Sequence, residues 1–177
     1  MTAGCERMFV AHPFGPVYDK DSRILILGTM ASPASRASGF YYGHPRNRFW
    51  PLMAALFGEP EPDREDIDAK RALLLNHGVA LWDVLRACDI YRAADDTIEN
   101  PRAHDFAPLF AGCPGLRVYA NGQTAARLYR KLVYPVVRVP ITALPSTSPA
   151  NAGWDWERLM EAWKQLTVIT GGSPPAR

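Results

Sequence analysis

Cysteine is scarce in this chain of 177 residues, which holds three, Cys5, Cys88 and Cys113, with no C-x-x-C spacing. An odd number so placed indicates neither a disulfide framework nor a thiolate zinc site, and an iron–sulfur cluster held by four cysteines is excluded. Long apolar runs are missing too. None approaches the roughly 20 residues of a membrane span, and the N-terminus carries no signal-peptide apolar region. The expectation from these absences is a cytoplasmic protein without a membrane partner. Charge of one sign is also in short supply: a formal net charge of +2 and a pI of about 8.5 permit nucleic acid as a partner without requiring it. What is present is a globular composition, 47% hydrophobic against 21% charged, which is too apolar for wholesale disorder. The length suits one domain over residues 1–170. Within it, residues 1–22, with Pro13, Gly15 and Pro16, read as an extended lead-in, and 171–177, rich in Gly and Pro, read as a disordered tail.

Ile24 to Leu27 is a short, continuous apolar run of the kind found in a strand covered on both faces, which points to a parallel sheet. It ends in Gly28-Thr29-Met30-Ala31-Ser32-Pro33. Phe49, Leu52, Met53 and Leu56 then recur at helical spacing up to Gly58 and Pro60, and Arg64 to Asn76 predicts a second helix. Val79 to Leu85 reads as a strand, followed by a polar stretch to about Asp105 without a clear pattern. Leu116 to Ala120 predicts a further strand, and Ala125, Leu128, Tyr129 and Leu132 one face of a helix. Val136 to Leu144 reads as the last strand, and Trp156, Leu159, Met160, Trp163 and Leu166 as a closing amphipathic helix. Alternating strands and helices predict an α/β fold: three layers, α/β/α, around a short, mainly parallel central sheet. Ligands bind at the carboxyl ends of such strands, which here lead into 29–38, 121–124 and 146–151.

Between the first strand and the first long helix lies Gly39-Phe40-Tyr41-Tyr42-Gly43-His44-Pro45-Arg46-Asn47-Arg48-Phe49-Trp50. Gly and Pro break it too often for regular structure, and aromatic and basic side chains on a surface loop imply something that binds them. Asn47 also fits a helix N-cap, although Pro51 would then fall where a helical N–H is needed. Asn121-Gly122 equally fits turn chemistry, and Ser146-Thr147-Ser148 a loop capping the last helix.

Together the ordered segments Gly-x-Met-x-Ser, GFYYGHPRNRFW, GVALWDV, ANGQTAARLY and LPSTSPANA resemble the uracil-DNA glycosylase superfamily, and most of all its DNA-deoxyinosine (hypoxanthine) glycosylase group. The resemblance runs from about Arg23 to Leu166. It implies a four-stranded, mainly parallel sheet between helices, a monomer, no metal and no cofactor, and DNA containing deaminated bases as partner. Most members carry Asp or Asn after the first strand to orient the attacking water. Met30 stands there, and a thioether cannot deprotonate water. The hypoxanthine group shares that absence, and its catalytic amide maps onto Asn47.

Further roles follow from the same resemblance. Tyr42 aligns with the residue that stacks on the flipped base, a contact worth about 1–3 kcal/mol. Asn121 maps onto a second amide, offering a donor and an acceptor to the edge of hypoxanthine. His44 touches phosphate, sugar or base, or else pins its own loop. Ser146, Thr147 and Ser148 grip phosphates, as do Arg46 and Arg48, one of which could pair with Asp83 instead. Leu144 replaces the His or Asn of uracil enzymes. The activity implied is a monofunctional DNA glycosylase acting on hypoxanthine first, since no lysine accompanies the loops for a Schiff-base step. Two alternatives stay open: a uracil or mismatch glycosylase on the same fold, and an inactive binder of damaged or single-stranded DNA.

Overall fold

The structure, a computed structural model, describes residues 7–171. In chain order its strands are β1 (Met8–Ala11), β2 (Ile24–Gly28), β3 (Val79–Asp83), β4 (Leu85–Ile90), β5 (Glu99–Ala103), β6 (Arg117–Asn121) and β7 (Ile141–Leu144). The helices are α1 (Pro33–Ser38), α2 (Phe49–Phe57), α3 (Ile67–Asn76), α4 (Ala107–Gly112), α5 (Gln123–Leu132), α6 (Tyr134–Val137), α7 (Trp156–Trp163) and α8 (Gln165–Thr170). Four strands form a fully parallel sheet in the order β3-β2-β6-β7. This is the expected central sheet. All of β2 and β3 is buried, so both of their faces are covered, and the apolar run Ile24 to Leu27 lies at the centre of the core.

Local chemistry sets the helix limits. Ser32 accepts from the Ser35 N–H and Pro33 opens α1, while Gly39 closes it in the left-handed conformation at φ 77°. The second helix starts at Ile67 rather than Arg64, because the Asp66 carboxylate caps it by accepting from the Ala69 N–H. The last strand is shorter than expected. Tyr134 to Val137 instead make the short helix α6, closed at a left-handed Arg138, and pairing begins only after Pro140, which has no N–H to give a ladder. The closing helix is divided at Lys164 into α7 and α8.

The polar stretch without a clear pattern forms β4 and β5, and these join β1 in a second, antiparallel sheet ordered β1-β4-β5. The lead-in is therefore part of the packed structure. Met8 pairs with Ile90 and Ala11 with Ala87, Val17 bridges to Leu81, and the chain passes alongside the end of β3. Residues 1–6 of the lead-in and 172–177 of the expected tail lie outside the described residues. Among the described residues no helix is long and apolar enough to cross a membrane.

Candidate active site

Because β2, β3, β6 and β7 are parallel, their carboxyl ends fall at one edge of the sheet, and the segments leaving them enclose a cleft of about 910 Å³. Met30, Tyr42, His44 and Asn47 line it from one side of the chain, and Asn121, Ser146, Thr147 and Ser148 from the other. Eight of the ten residues singled out in the sequence thus meet in one place. Arg46 and Arg48 do not line it.

The aromatic loop divides by burial. Phe40 and Tyr41 are core residues, tied down by Tyr41 Oη donating to the Gly15 carbonyl (2.7 Å) and Trp50 Nε1 donating to the Tyr41 carbonyl (3.0 Å). Tyr42 follows in the left-handed region, φ 53°, which is uncommon for a bulky residue and turns its ring toward the cleft. One face of that ring stacks on Phe49, with centroids 4.1 Å apart and planes at 24°. Its hydroxyl is buried beside Asn121 and Asp83 and forms no hydrogen bond of normal geometry. Burial, and then the Asp83 charge, hold this phenol far above its ordinary pKa, so it stays neutral.

Asn47, Thr147 and Asn121 form a single hydrogen-bonded chain. Asn121 Nδ2 donates to Thr147 Oγ1 (2.9 Å), Thr147 Oγ1 donates to Asn47 Oδ1 (2.8 Å), and the Thr147 N–H returns a bond to Asn121 Oδ1 (2.9 Å). Asn47 Oδ1 accepts a second bond from the Phe49 N–H (3.0 Å), which fixes the amide's orientation. The helix cap itself is Arg48, so Pro51 is the third helical residue, where no N–H bond is required, and its conflict with Asn47 does not arise.

The network bears on each of its three members. Thr147 is fully buried and acts as the hub of this network, so it does not grip phosphate. Asn121 has one N–H and one of the two lone pairs of its oxygen engaged by Thr147, so only half of its hydrogen-bonding capacity is left for a base. The Asn47 carbonyl takes two protein donors, and the group left to act in the cleft is its NH₂. Arg48, like Thr147, departs from its expected role. Its guanidinium donates to the Trp154 and Asn151 carbonyls, fastening the start of α2 to the loop before α7, and is not a free phosphate binder. Arg46 is exposed. His44 Nδ1 accepts from the Arg46 N–H (3.1 Å), so that nitrogen pins its own loop. Ser146 and Ser148 hydroxyls accept from the N–H groups of Ser148 and Ala150, in local turns.

Three acidic residues of the cleft, Asp83, Asp95 and Asp96, and one histidine behind it were not singled out as site residues in the sequence. Asp83 ends β3 opposite Gly28, and its Oδ2 accepts from His12 Nε2 at 2.7 Å, not from an arginine. The His12 side chain is fully buried. Asp95, in a turn of 3-10 helix between β4 and β5, lines the cleft from above. Burial raises its pKa, a hydrogen bond with Thr29 opposes the shift, and the Asp83 charge adds to it. Asp83 was signalled by a carboxylate ending the otherwise apolar Val79-Ala80-Leu81-Trp82. His12 had no signal, because its partner is 71 positions away.

Comparison with known proteins identifies the family and the fold. The chain is 33% identical over 157 residues to a protein of Methanosarcina acetivorans named hypoxanthine DNA glycosylase, covering 86% of this chain and 95% of that one. It is 34% identical over 113 residues to a protein of the same name from Methanosarcina barkeri, covering 62% and 70%. The solution NMR structure of a Methanosarcina acetivorans protein described as a candidate uracil DNA glycosylase superposes with a TM-score of 0.72 at 30% identity, over 90% of this chain and 99% of that one. The family model for the uracil DNA glycosylase superfamily matches residues 16–167, and the chain belongs to that superfamily.

Proposed function

We propose that this chain is a monofunctional DNA glycosylase that takes a deaminated base, hypoxanthine first, out of DNA and hydrolyses its N-glycosidic bond. The observation that carries the proposal is the joint placement of Tyr42 and Asn47. An aromatic ring backed by Phe49 and an amide locked by Thr147 face one cleft at the strand ends. The names of the two Methanosarcina relatives support the choice of base.

Extruding a nucleotide costs a few kcal/mol of stacking and pairing, least where the pair is already damaged, and stacking on Tyr42 offsets much of that cost. The sugar then lies toward the mouth of the cleft. As the bond from C1′ to the base breaks, positive charge develops on the sugar, and the carboxylates of Asp83 and Asp95 give the cleft a potential of the favourable sign. The Asn47 NH₂ donates to a water oxygen, holding the water while a second lone pair stays free for C1′. An amide is too weak a base to take the proton beforehand, so bond breaking runs ahead of attack and the rate is modest. None of the residues lining the cleft is a lysine, so water is the nucleophile and no lyase step follows. Arg46, exposed beside the cleft, and the hydroxyls of Ser146 and Ser148 hold the DNA backbone.

The test uses duplex oligonucleotides carrying one hypoxanthine, uracil or xanthine, incubated with the protein without added metal and cleaved with alkali at abasic sites. Hypoxanthine is expected to be released fastest, with Asn47→Ala at least about tenfold slower. Release of uracil alone would assign the chain to the uracil enzymes. Binding without release of any base, at enzyme excess, would make it a damage binder and end the catalytic reading.

A further inference from the structure

The cleft has an acidic floor with one oxygen to spare. Asp83 is only 4% exposed, yet it borders the cleft. Its Oδ2 is held by His12 Nε2 at 2.7 Å, and since a carboxylate only accepts, that nitrogen carries the hydrogen. Its Oδ1 accepts no hydrogen bond among the described residues. This oxygen rests against Gly28, where even a single added methyl carbon would come within 2.3 Å of it and 3.0 Å of the Tyr42 hydroxyl. Carboxylate, phenol and glycine therefore converge at the buried end of the proposed stacking ring. The oxygen is not among the fully buried atoms that lack a partner, so it opens on the cleft and is free to accept from a ligand N–H that displaces water there.

We infer that Asp83, held by His12, is the residue that selects the base, and that it does so by accepting the ring N–H that deamination creates. The inference rests on the glycosylase reading above. A base entering the cleft remains tethered to the DNA through its glycosidic nitrogen, so the edge opposite that nitrogen reaches the floor. In hypoxanthine that edge carries N1–H and O6. Asp83 Oδ1 accepts from N1–H, and the remaining N–H of Asn121 Nδ2, the other amide beside the Tyr42 hydroxyl, donates to O6. In adenine both groups are reversed: N1 presents a lone pair to the carboxylate and the 6-amino group meets a donor. Cytosine fails in the same way at N3. The floor thus admits hypoxanthine and uracil and repels adenine and cytosine, the bases from which they arise.

The same charge separates the deaminated bases from one another. Uracil leaves as an anion, which a carboxylate at hydrogen-bond distance opposes, whereas a purine can take a proton at N7 and leave neutral. Guanine carries the same N1–H and O6 pair, and within a Watson–Crick pair the cost of extrusion stands in its way.

The experiment compares two purines whose release differs in the group read. Duplexes containing hypoxanthine or unsubstituted purine, which has N1 as a bare acceptor, are cleaved in single turnover by the wild-type chain, Asp83→Asn and His12→Gln. Taking the ratio of the two rates in each protein, and then comparing proteins, cancels the different intrinsic lability of the two bonds. The wild type is expected to favour hypoxanthine by about 100-fold or more, and Asp83→Asn to reduce that preference at least about tenfold, because an amide can turn its NH₂ to a bare N1. His12→Gln is expected to fall between them. An Asp83→Asn ratio equal to the wild-type ratio would overturn the inference while leaving the glycosylase reading intact. If Asp83→Asn fails to fold, His12→Gln decides: a ratio equal to the wild-type ratio overturns the inference, and a reduced ratio supports it. A wild type that releases neither base defeats the glycosylase reading itself.

Discussion

Thr147 Oγ1 donates to Asn47 Oδ1 at 2.8 Å, across 100 positions of sequence, and this bond decides which end of the Asn47 amide faces the cleft. Thr147→Val keeps the shape and removes the hydroxyl. It leaves Asn121 Nδ2 without an acceptor in a buried site and frees Asn47 to turn. The expected result is a stability loss of about 1–3 kcal/mol in urea unfolding and a fall in kcat of about tenfold or more with little change in KM. Thr147→Ser retains the hydroxyl and is expected to restore kcat. A purely structural role would lower stability in Thr147→Val without moving kcat of the folded fraction.

Gly28 is fixed by space rather than by conformation. An alanine there would set its methyl group 2.3 Å from Asp83 Oδ1 and 3.0 Å from Tyr42 Oη, so one or both of those groups must move. Gly28→Ala is expected to cost about 1–3 kcal/mol of stability and to lower hypoxanthine release by at least about tenfold. Gly15→Ala, where nothing lies within 4 Å of the added carbon, is the control and is expected to behave as wild type in both measurements.

The parts of the fold legible in the sequence are those whose pattern is local. Ile24 to Leu27 is apolar without alternation because both faces are covered, and the loop from Gly39 to Trp50 stands out by composition alone. In β5, by contrast, every residue keeps some exposure, so no alternation marks it as a strand. Ser146-Thr147-Ser148 reads the same whether it grips phosphate or fills a core, and only the burial of Thr147 beneath Asn121 and Asn47 tells the two apart. Arg46 and Arg48 are likewise alike in sequence. What separates them is the Asn151 and Trp154 carbonyls, more than 100 positions further on, which no periodicity encodes.

That difference between the two arginines has a measurable consequence. Arg46→Ala removes an exposed cation and is expected to weaken binding to DNA of any sequence, lowering the salt-dependence slope of log K by about 1, with no change in thermal stability. Arg48→Ala removes the fastening between α2 and the loop before α7. It is expected to lower stability by about 1–3 kcal/mol and to leave the salt slope of the folded protein unchanged. Equal salt slopes for the two variants would sink the assignment.

His104 gives the fold a defined acid sensitivity. Its half-buried ring stacks on Trp82, with centroids 4.1 Å apart, and meets His12 edge-on at 5.0 Å. Burial first, then the neighbouring His12 and Arg86, push its pKa down from the ordinary 6.5 to about 4, while a hydrogen bond with the Leu85 backbone opposes the shift. The sign follows from proton counting. Between pH 6.5 and about 4 the unfolded chain binds a proton at this position that the folded chain refuses, so stability declines as pH falls through that window. Above pH 6.5 both states are neutral and the contribution is flat; below about 4 the loss is complete. His104→Phe keeps a ring against Trp82 and removes the titration, and it deprives Nε2 of nothing, since that atom is buried without a hydrogen bond. Its urea midpoint relative to wild type is therefore expected to rise steadily as the pH is lowered from 6.5 to 4. A constant difference over that range would show that His104 titrates alike in the folded and unfolded chains.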